Sequence, residues 1–144
     1  NNNSLIEQFG MKPYKLRVKE KYMSKRQLNH FKKILSSWKD QLEHEAEKTV
    51  NHMQNDSNTL ADPNDRATQE SEFGLELRTR DRERKLIRKI QTSLIKIDDG
   101  SFGYCEETGE EIGLQRLEAR PVASLTLEAQ ERREITEKQF KDSR

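Results

Sequence analysis

Cysteine is nearly absent from this chain of 144 residues, which contains only Cys105. A lone cysteine cannot form an internal disulfide, so the composition suits a reducing compartment and we expect a cytoplasmic protein. No apolar run approaches the roughly 20 residues that a helix needs to span a bilayer, and no signal-peptide pattern is visible. The sequence therefore argues against a disulfide-stabilised scaffold and predicts no membrane association.

Apolar residues and excess charge of one sign are also scarce. Only 31% of the residues are hydrophobic and 6% are aromatic, whereas 37% are charged. A globule of this length usually buries more apolar material, so we expect an elongated structure. The 27 basic and 26 acidic residues leave a net charge of +1. That balance argues against a general nucleic-acid binder, which carries a clear basic excess.

The sequence does contain a long helical repeat. Ser24, followed by Gln27 three residues later, is typical of a helix N-terminus, and a helix is predicted over about 25–53. The apolar residues after this start recur every seven residues, which is the heptad spacing of a coiled coil. One seam consists of Leu28, Leu35 and Leu42, and the other of Phe31 and Trp38.

A second long helix is predicted from about 65 to 97, after a turn-rich tip loop at 54–66. Two long helices around one loop form an antiparallel hairpin with facing apolar seams. The fold class is therefore mainly α: a coiled-coil hairpin (25–97) on a small base formed by an N-terminal segment (1–24) and residues 98–144. The apolar residues of the second helix are Phe73, Leu77, Ile87, Ile90, Leu94 and Ile97.

Charge is sorted along this hairpin. Residues 54–76 contain six acids and one arginine, whereas residues 78–89 contain seven bases and two acids. Each stretch alone is typical of a solvated helix face. An acidic tip on a basic stem also suits a rod that enters a groove or channel of a larger partner.

The base contains a loop shaped like half of a metal site. In "FGYCEETGEEIG", residues 102–113, Thr108 stands where a second cysteine would complete C-x-x-C with Cys105. After seventeen residues, Thr126 and Ala129 repeat the spacing. Cysteine at all four positions would predict zinc, but one thiol cannot hold it, so we expect a degenerate zinc-finger knuckle without metal.

Packing should hold this base instead of zinc, and Cys105 is predicted to be a small buried residue rather than a reactive thiol. A short helix is predicted in "SLIEQFG", a strand-and-turn region over about 98–122 and a last helix over about 124–141. The candidate packing residues are Phe102, Tyr104, Ile112, Leu114, Leu117, Leu125 and Leu127.

Three segments carry a family resemblance: "DPNDRATQESEFGLELRTRDRERKLIRKI", "FGYCEETGEEIG" and "RLEARPVASL". They closely resemble the DksA/TraR family of bacterial transcription factors, over about residues 14–138. The resemblance implies a monomeric, non-enzymatic regulator that binds RNA polymerase without contacting DNA, by inserting its hairpin into the secondary channel. It also implies modulation of promoters with guanosine tetraphosphate (ppGpp) in the stringent response. This chain would then be a cysteine-poor, zinc-independent member with no tightly bound cofactor.

The resemblance assigns two polymerase-facing regions by position. The tip motif D-x-x-D-x-A falls on Asp62, Asp65 and Ala67, which are implied to approach the polymerase active centre and to serve activity more than binding. Arg82 matches a stem residue at the rim of the channel. We therefore expect tip and stem to have separate roles.

The resemblance also implies a ppGpp site shared between the factor and the polymerase. It maps to Leu86, Lys89 and Arg120 in this chain. A further basic position of the family is occupied by Gln130, which departs from the pattern and lacks the charge for one contact to phosphate.

Three other functions stay open from the residues alone. A Gre-type transcript-cleavage factor would use tip carboxylates such as Asp62 and Asp65 to hold a catalytic metal. A structural coiled-coil adaptor would have no transcriptional role. Direct DNA binding through "RTRDRERK" is disfavoured, because acids are interleaved and no recognition-helix motif is present.

Overall fold

The computed structural model describes residues 4–56 and 63–143. These residues contain no β-strand, and an isolated antiparallel bridge joins Tyr104 to Glu111. The predicted mainly helical fold class is therefore confirmed. The helices of the described residues are α1 (Ser4–Gln8), α2 (Lys25–Asp56), α3 (Pro63–Asp99), α4 (Leu114–Ala119) and α5 (Leu127–Asp142).

Helix α2 starts at the capping signal that the sequence indicates. The backbone N–H of Gln27 donates to the Ser24 hydroxyl at 3.3 Å, and the backbone N–H of Met23 donates to the Gln27 side-chain oxygen at 2.6 Å. The bond to Ser24 satisfies one donor that the first turn of a helix leaves free, and the bond from Met23, which precedes the cap, ties the incoming chain to that turn. Gln27 is fully buried, so the cap is part of the core.

Helices α2 and α3 pack against each other as an antiparallel hairpin. Near the base, the ring of Phe31 on α2 lies 5.5 Å from that of Phe102, just beyond the end of α3. Farther along the stem, Glu45 on α2 lies near Glu83 on α3. Burial is the largest cause that raises the pKa of Glu83, and the negative charge of Glu45 raises it further. At about 1.5 Å per residue, the two helices are roughly 48 and 56 Å long.

The predicted heptad seams do line the core of the hairpin. Phe31, Leu35 and Leu42 are buried, and Leu28 and Trp38 pack against them. On α3, Ile90 and Ile97 are buried and Ile87 and Leu94 are partly buried, but Leu77 is 44% exposed and does not belong to the seam. The apolar pattern of α3 is weak in its distal half, where Leu75 is exposed as well.

Several element boundaries differ from the sequence prediction. Residues 54–56 and 63–66, predicted as part of the tip loop, are helical. Proline is tolerated in the first turn because that turn's N–H groups lack intrahelical acceptors, so α3 can begin at Pro63. The region 98–122 contains the short helix α4 rather than a strand, and α5 begins three residues later than expected, at Leu127.

The base and the foot of the stem share one apolar core. Ile6 of the predicted short N-terminal helix is fully buried there. Tyr104 and Leu127, which we expected in this core, are 37% and 51% exposed, so that prediction is wrong for both. The other expected residues are buried or pack against the core: Phe102, Ile112, Leu114, Leu117 and Leu125. No helix in the described part of the chain could cross a membrane.

Candidate functional site

A cationic cavity of about 410 Å³ lies where the foot of α3, the end of α4 and the start of α5 meet. Among the residues that the structure describes, its walls contain six basic side chains and one acid, Glu106. Such an excess of positive charge in a concave site favours a ligand with several negative charges, such as a nucleotide phosphate chain. The basic residues are Arg88, Lys89, Lys96, Arg116, Arg120 and Arg133.

The structure brings together three of the four positions that the sequence analysis connected with a nucleotide. Lys89 on α3, Arg120 at the C-terminal end of α4 and Gln130 on α5 all line this cavity. Leu86 is not among its lining residues and packs partly buried against the hydrophobic core. The positions that meet in the cavity are thus the polar ones.

Two of the cavity's cations are held by consecutive acids of the knuckle loop. Lys96 on α3 forms an ion pair with Glu106, and the Nη2 atom of Arg133 on α5 lies 2.7 Å from Oε1 of Glu107. The knuckle loop therefore forms ion pairs with both α3 and α5, the two longer helices that line the cavity.

The other cations are freer. The Nε atom of Arg116 donates to the carbonyl oxygen of Leu125 at 3.1 Å. This bond holds the guanidinium group in place but uses only one of its five N–H donors. Within residues 4–56 and 63–143, the side chains of Arg88, Lys89 and Arg120 form no hydrogen bond or ion pair. Three charges are thus available to an anion without displacing an internal partner.

Sequence reasoning did not identify Arg88, Lys96, Arg116 or Arg133 as part of this site. Helical spacing could have suggested two of the four: Lys96 follows Lys89 by seven residues, and Arg133 follows Gln130 by three. Arg116 could not be found this way, because only the packing of α4 brings it to α3.

Arg82 lies farther along α3, on its exposed surface. Its Nη2 atom donates weakly to the Thr79 hydroxyl at 3.5 Å, and it borders a shallow groove together with Arg78 and Lys85. Because Lys89 follows Arg82 by seven residues, both lie on nearly the same helical face, about two turns apart. The groove and the cavity therefore lie in line along the stem.

The tip motif is described only in part. Asp62 lies outside the described residues, and Asp65 lies in the first turns of α3 with its side chain outside them. Ala67 is exposed on α3. The placement of the two tip carboxylates accordingly stays a prediction.

The knuckle keeps a defined backbone shape. The N–H of Cys105 donates to the carbonyl of Glu110 at 2.8 Å, and the N–H of Gly109 donates back to the carbonyl of Cys105 at 2.9 Å. Gly103, at φ +93°, allows close packing, because a Cβ there would lie 3.0 Å from side-chain atoms of Met23 and Tyr22. A tight turn thus forms from backbone bonds and a glycine.

The sulfur of Cys105 is buried, as predicted, with only 3% of the residue exposed. Burial raises the pKa of this thiol, but hydrogen bonds from the Thr108 side chain and from the backbone N–H groups of Thr126, Thr108 and Glu107 outweigh it and leave a pKa of about 6. The knuckle therefore still favours a thiolate, the form that binds metals.

The remaining donor set does not fit a four-thiolate zinc site. Thr126 caps α5 by accepting the N–H of Ala129 at 3.2 Å, and its hydroxyl lies 3.9 Å from the sulfur of Cys105. Thr108 accepts the N–H of Glu110 at 3.2 Å, and Ala129 has only a methyl group. Zinc in structural sites requires four sulfur or nitrogen ligands, and these positions supply one. No cluster of three or more histidine, cysteine, aspartate or glutamate side chains suited to a metal occurs in the described parts of the chain.

Two family profiles match consecutive parts of the chain. The profile for the DnaK suppressor protein DksA, N-terminal domain, matches residues 27–97, which include most of the hairpin. The profile for the prokaryotic dksA/traR C4-type zinc finger matches residues 100–134, which include the knuckle and the start of α5. The zinc-finger match thus falls on a segment in which Cys105 is the only cysteine.

Individual relatives match over nearly the full length. The chain is 53% identical over 136 residues to the RNA polymerase-binding transcription factor DksA of Haemophilus influenzae, covering 94% of each chain. It is 52% identical over 137 residues to the factor of the same name from Escherichia coli K12, covering 95% of this chain and 91% of that one. The solved structure of transcription factor DksA2 from Pseudomonas aeruginosa aligns with a TM-score of 0.75 at 37% identity, covering 81% of this chain and 90% of that chain. The chain belongs to the DksA family.

Proposed function

We propose that this protein regulates transcription by binding RNA polymerase directly, with its hairpin inserted into the secondary channel. The observation that carries this proposal is the identity of about half of all residues, over nearly the whole chain, to factors named for binding RNA polymerase. Because the matched length includes both the hairpin and the base, the whole architecture is shared rather than one module.

The hairpin has the shape and charge for such an insertion. Two packed helices form a rod roughly 50 Å long at about 1.5 Å per residue, and its distal part from 54 to 76 is acidic. Arg82 and the groove beside it lie lower on the stem. We assign Arg82 to binding at the channel rim, and Asp62, Asp65 and Ala67 to the effect on the active centre after binding.

A second part of the proposal is that ppGpp acts as an effector at the cationic cavity. Lys89 and Arg120 both line it, and within the described residues neither side chain has an internal partner. Arginine and lysine are the side chains that bind phosphate, and a nucleotide with two diphosphates matches a wall of six bases and one acid. Leu86 does not line the cavity and packs partly buried against the core, and we keep it in the proposal as part of the site shared with the polymerase.

A third part is that the base functions without zinc. The knuckle is held by backbone bonds, by the Thr126 cap of α5 and by the burial of Leu117 and Leu125. Burial of one such leucine contributes roughly 1.5–3 kcal/mol, so a few can support the loop. We propose a cytoplasmic monomer with no catalytic activity of its own and no direct DNA contact.

The test is in vitro transcription from a ribosomal promoter with purified polymerase, with and without ppGpp, in the presence of a zinc chelator. We expect inhibition that ppGpp strengthens and the chelator leaves unchanged. Arg82→Ala should weaken polymerase binding with or without the nucleotide, whereas Lys89→Ala should chiefly reduce the additional effect of the nucleotide. Arg84→Ala is the matched control, since this exposed arginine lies two residues from Arg82 on another face of α3.

The alternatives give different results in the same system. A Gre-type factor would stimulate cleavage of the transcript in a stalled complex. A structural adaptor would fail to retain core polymerase in a pull-down. Either result would overturn the proposed function, and an equal loss of binding in Arg82→Ala and Lys89→Ala would merge the two assigned sites.

A further inference from the structure

Gln130 and Arg133 line the cationic cavity from adjacent turns of α5. They are three residues apart, which places both side chains on the same side of the helix. The side-chain amide of Gln130 is neutral, so it contributes no charge, and one of its two N–H donors is already bonded to Glu134 at 3.0 Å. Arg133 is therefore the cation that α5 presents to the cavity.

Arg133 is held by a partner that a phosphate can displace. Its ion pair with Glu107 spans 2.7 Å, but the two side chains are 47% and 39% exposed. An ion pair this open to solvent is weak, because water screens the charges and both side chains lose rotamer freedom. A phosphate group carries more negative charge than one carboxylate and can accept two parallel hydrogen bonds from the planar guanidinium group.

We propose that Arg133 binds a phosphate group of the nucleotide in this cavity, exchanging its ion pair with Glu107 for the ligand. It thereby supplies, one helical turn away, the positive charge that Gln130 lacks. Glu107 is then a competitor that limits affinity. The inference rests on the nucleotide site proposed above and adds one residue and one regulatory contact to it.

The two halves of the ion pair provide the test. Arg133→Ala and Glu107→Gln both break the same contact, so a purely structural role would make them behave alike. A ligand role makes them differ: Arg133→Ala should raise the Kd for ppGpp by at least about ten-fold, the lower end of the effect of losing one charged hydrogen bond. Glu107→Gln should leave the Kd unchanged or lower it, because Arg133 is released.

The measurement is equilibrium binding of labelled ppGpp to the complex of polymerase with the saturating full-length factor. Arg132→Ala is the matched control, since this exposed neighbour on α5 does not line the cavity. The inference is overturned if Arg133→Ala binds like wild type while Lys89→Ala binds more weakly, a result that leaves the proposed function intact. It is also overturned if both halves of the ion pair weaken binding equally. Absence of any factor-dependent ppGpp binding would overturn the proposed nucleotide site itself.

Discussion

The hydroxyl of Thr126 lies 3.9 Å from the sulfur of Cys105, with which it forms a hydrogen bond across the base. The same hydroxyl oxygen accepts the N–H of Ala129 at 3.2 Å and so caps α5. Three positions that a C4-type zinc finger would use for metal ligands are thus connected by hydrogen bonds. Each bond is individually modest, at about 0.5–1.5 kcal/mol, whereas structural zinc in a small finger contributes roughly 10–16 kcal/mol.

The first prediction concerns zinc. The purified protein should contain no stoichiometric zinc by elemental analysis, and its Tm should not change with excess chelator, because one sulfur cannot close a tetrahedral site. Restoring the other three ligands together (Thr108→Cys, Thr126→Cys and Ala129→Cys) should give one zinc per chain and a chelator-sensitive Tm.

Two controls accompany the zinc measurement. Cys105→Ser in the otherwise native chain should lower stability less than Leu117→Ala, which truncates a fully buried side chain and typically costs about 2–5 kcal/mol. One zinc per native chain would contradict the metal-free base. A folded variant with all four cysteines that stays metal-free would contradict a different claim, namely that the knuckle keeps the backbone shape of a zinc site.

The second prediction concerns Tyr22, which fastens the knuckle to the N-terminal segment. Its hydroxyl donates to the carbonyl of Gly103 at 2.7 Å and accepts the N–H of Gly113 at 3.0 Å. Tyr22→Phe removes both bonds and should lower the free energy of unfolding by about 1–3 kcal/mol, measured by urea denaturation. Tyr104→Phe is the matched control, because this partly exposed tyrosine makes no side-chain hydrogen bond within the described residues. Equal losses in the two variants would contradict the role of Tyr22.

The features predicted best from the sequence are those that depend on residues close together along the chain. The Ser24 cap and the heptad seams were found because their partners lie three to seven residues apart. The exposure of Leu77 was missed, because an apolar residue on a helix is buried only if the facing helix supplies apolar surface.

The cationic cavity could be predicted only in part. Lys89 and Arg120 came from the family resemblance, whereas the resemblance gave no reason to single out Arg133. Its ion pair joins residues 26 positions apart, and that contact depends on how α5 packs against the knuckle. The spacing of residues along one helix does not predict a contact between that helix and a distant loop.

The third prediction concerns the tip. Asp65→Asn keeps the size of the side chain and removes its charge. Because we assign binding to Arg82 and the tip carboxylates to an effect after binding, polymerase affinity should change less than about two-fold while promoter inhibition is lost. Asp98→Asn, at the exposed foot of the same helix, is the control and should leave both quantities unchanged. Normal inhibition by Asp65→Asn at saturating factor would show that this carboxylate has no role after binding.

The fourth prediction is a pH dependence of stability that originates at Glu20. The Tyr14 hydroxyl, the backbone N–H of Arg17 and the side chains of Ser24 and Gln27 all donate to this carboxylate, and they lower its pKa from 4.5 to about 2, the Tyr14 bond most strongly. A carboxyl group whose pKa is lower in the folded state stabilises the protein above its unfolded pKa, and this contribution is lost as the pH falls from about 4.5 towards 2. Glu20→Gln should therefore have a lower Tm than wild type at pH 7, and the difference should shrink progressively below pH 4.5, as followed by circular dichroism. Glu47→Gln, the same change on the exposed surface of α2, should melt like wild type at pH 7. A Tm difference between Glu20→Gln and wild type that stays constant down to pH 2 would show that the Glu20 carboxylate is not the group that these four donors stabilise.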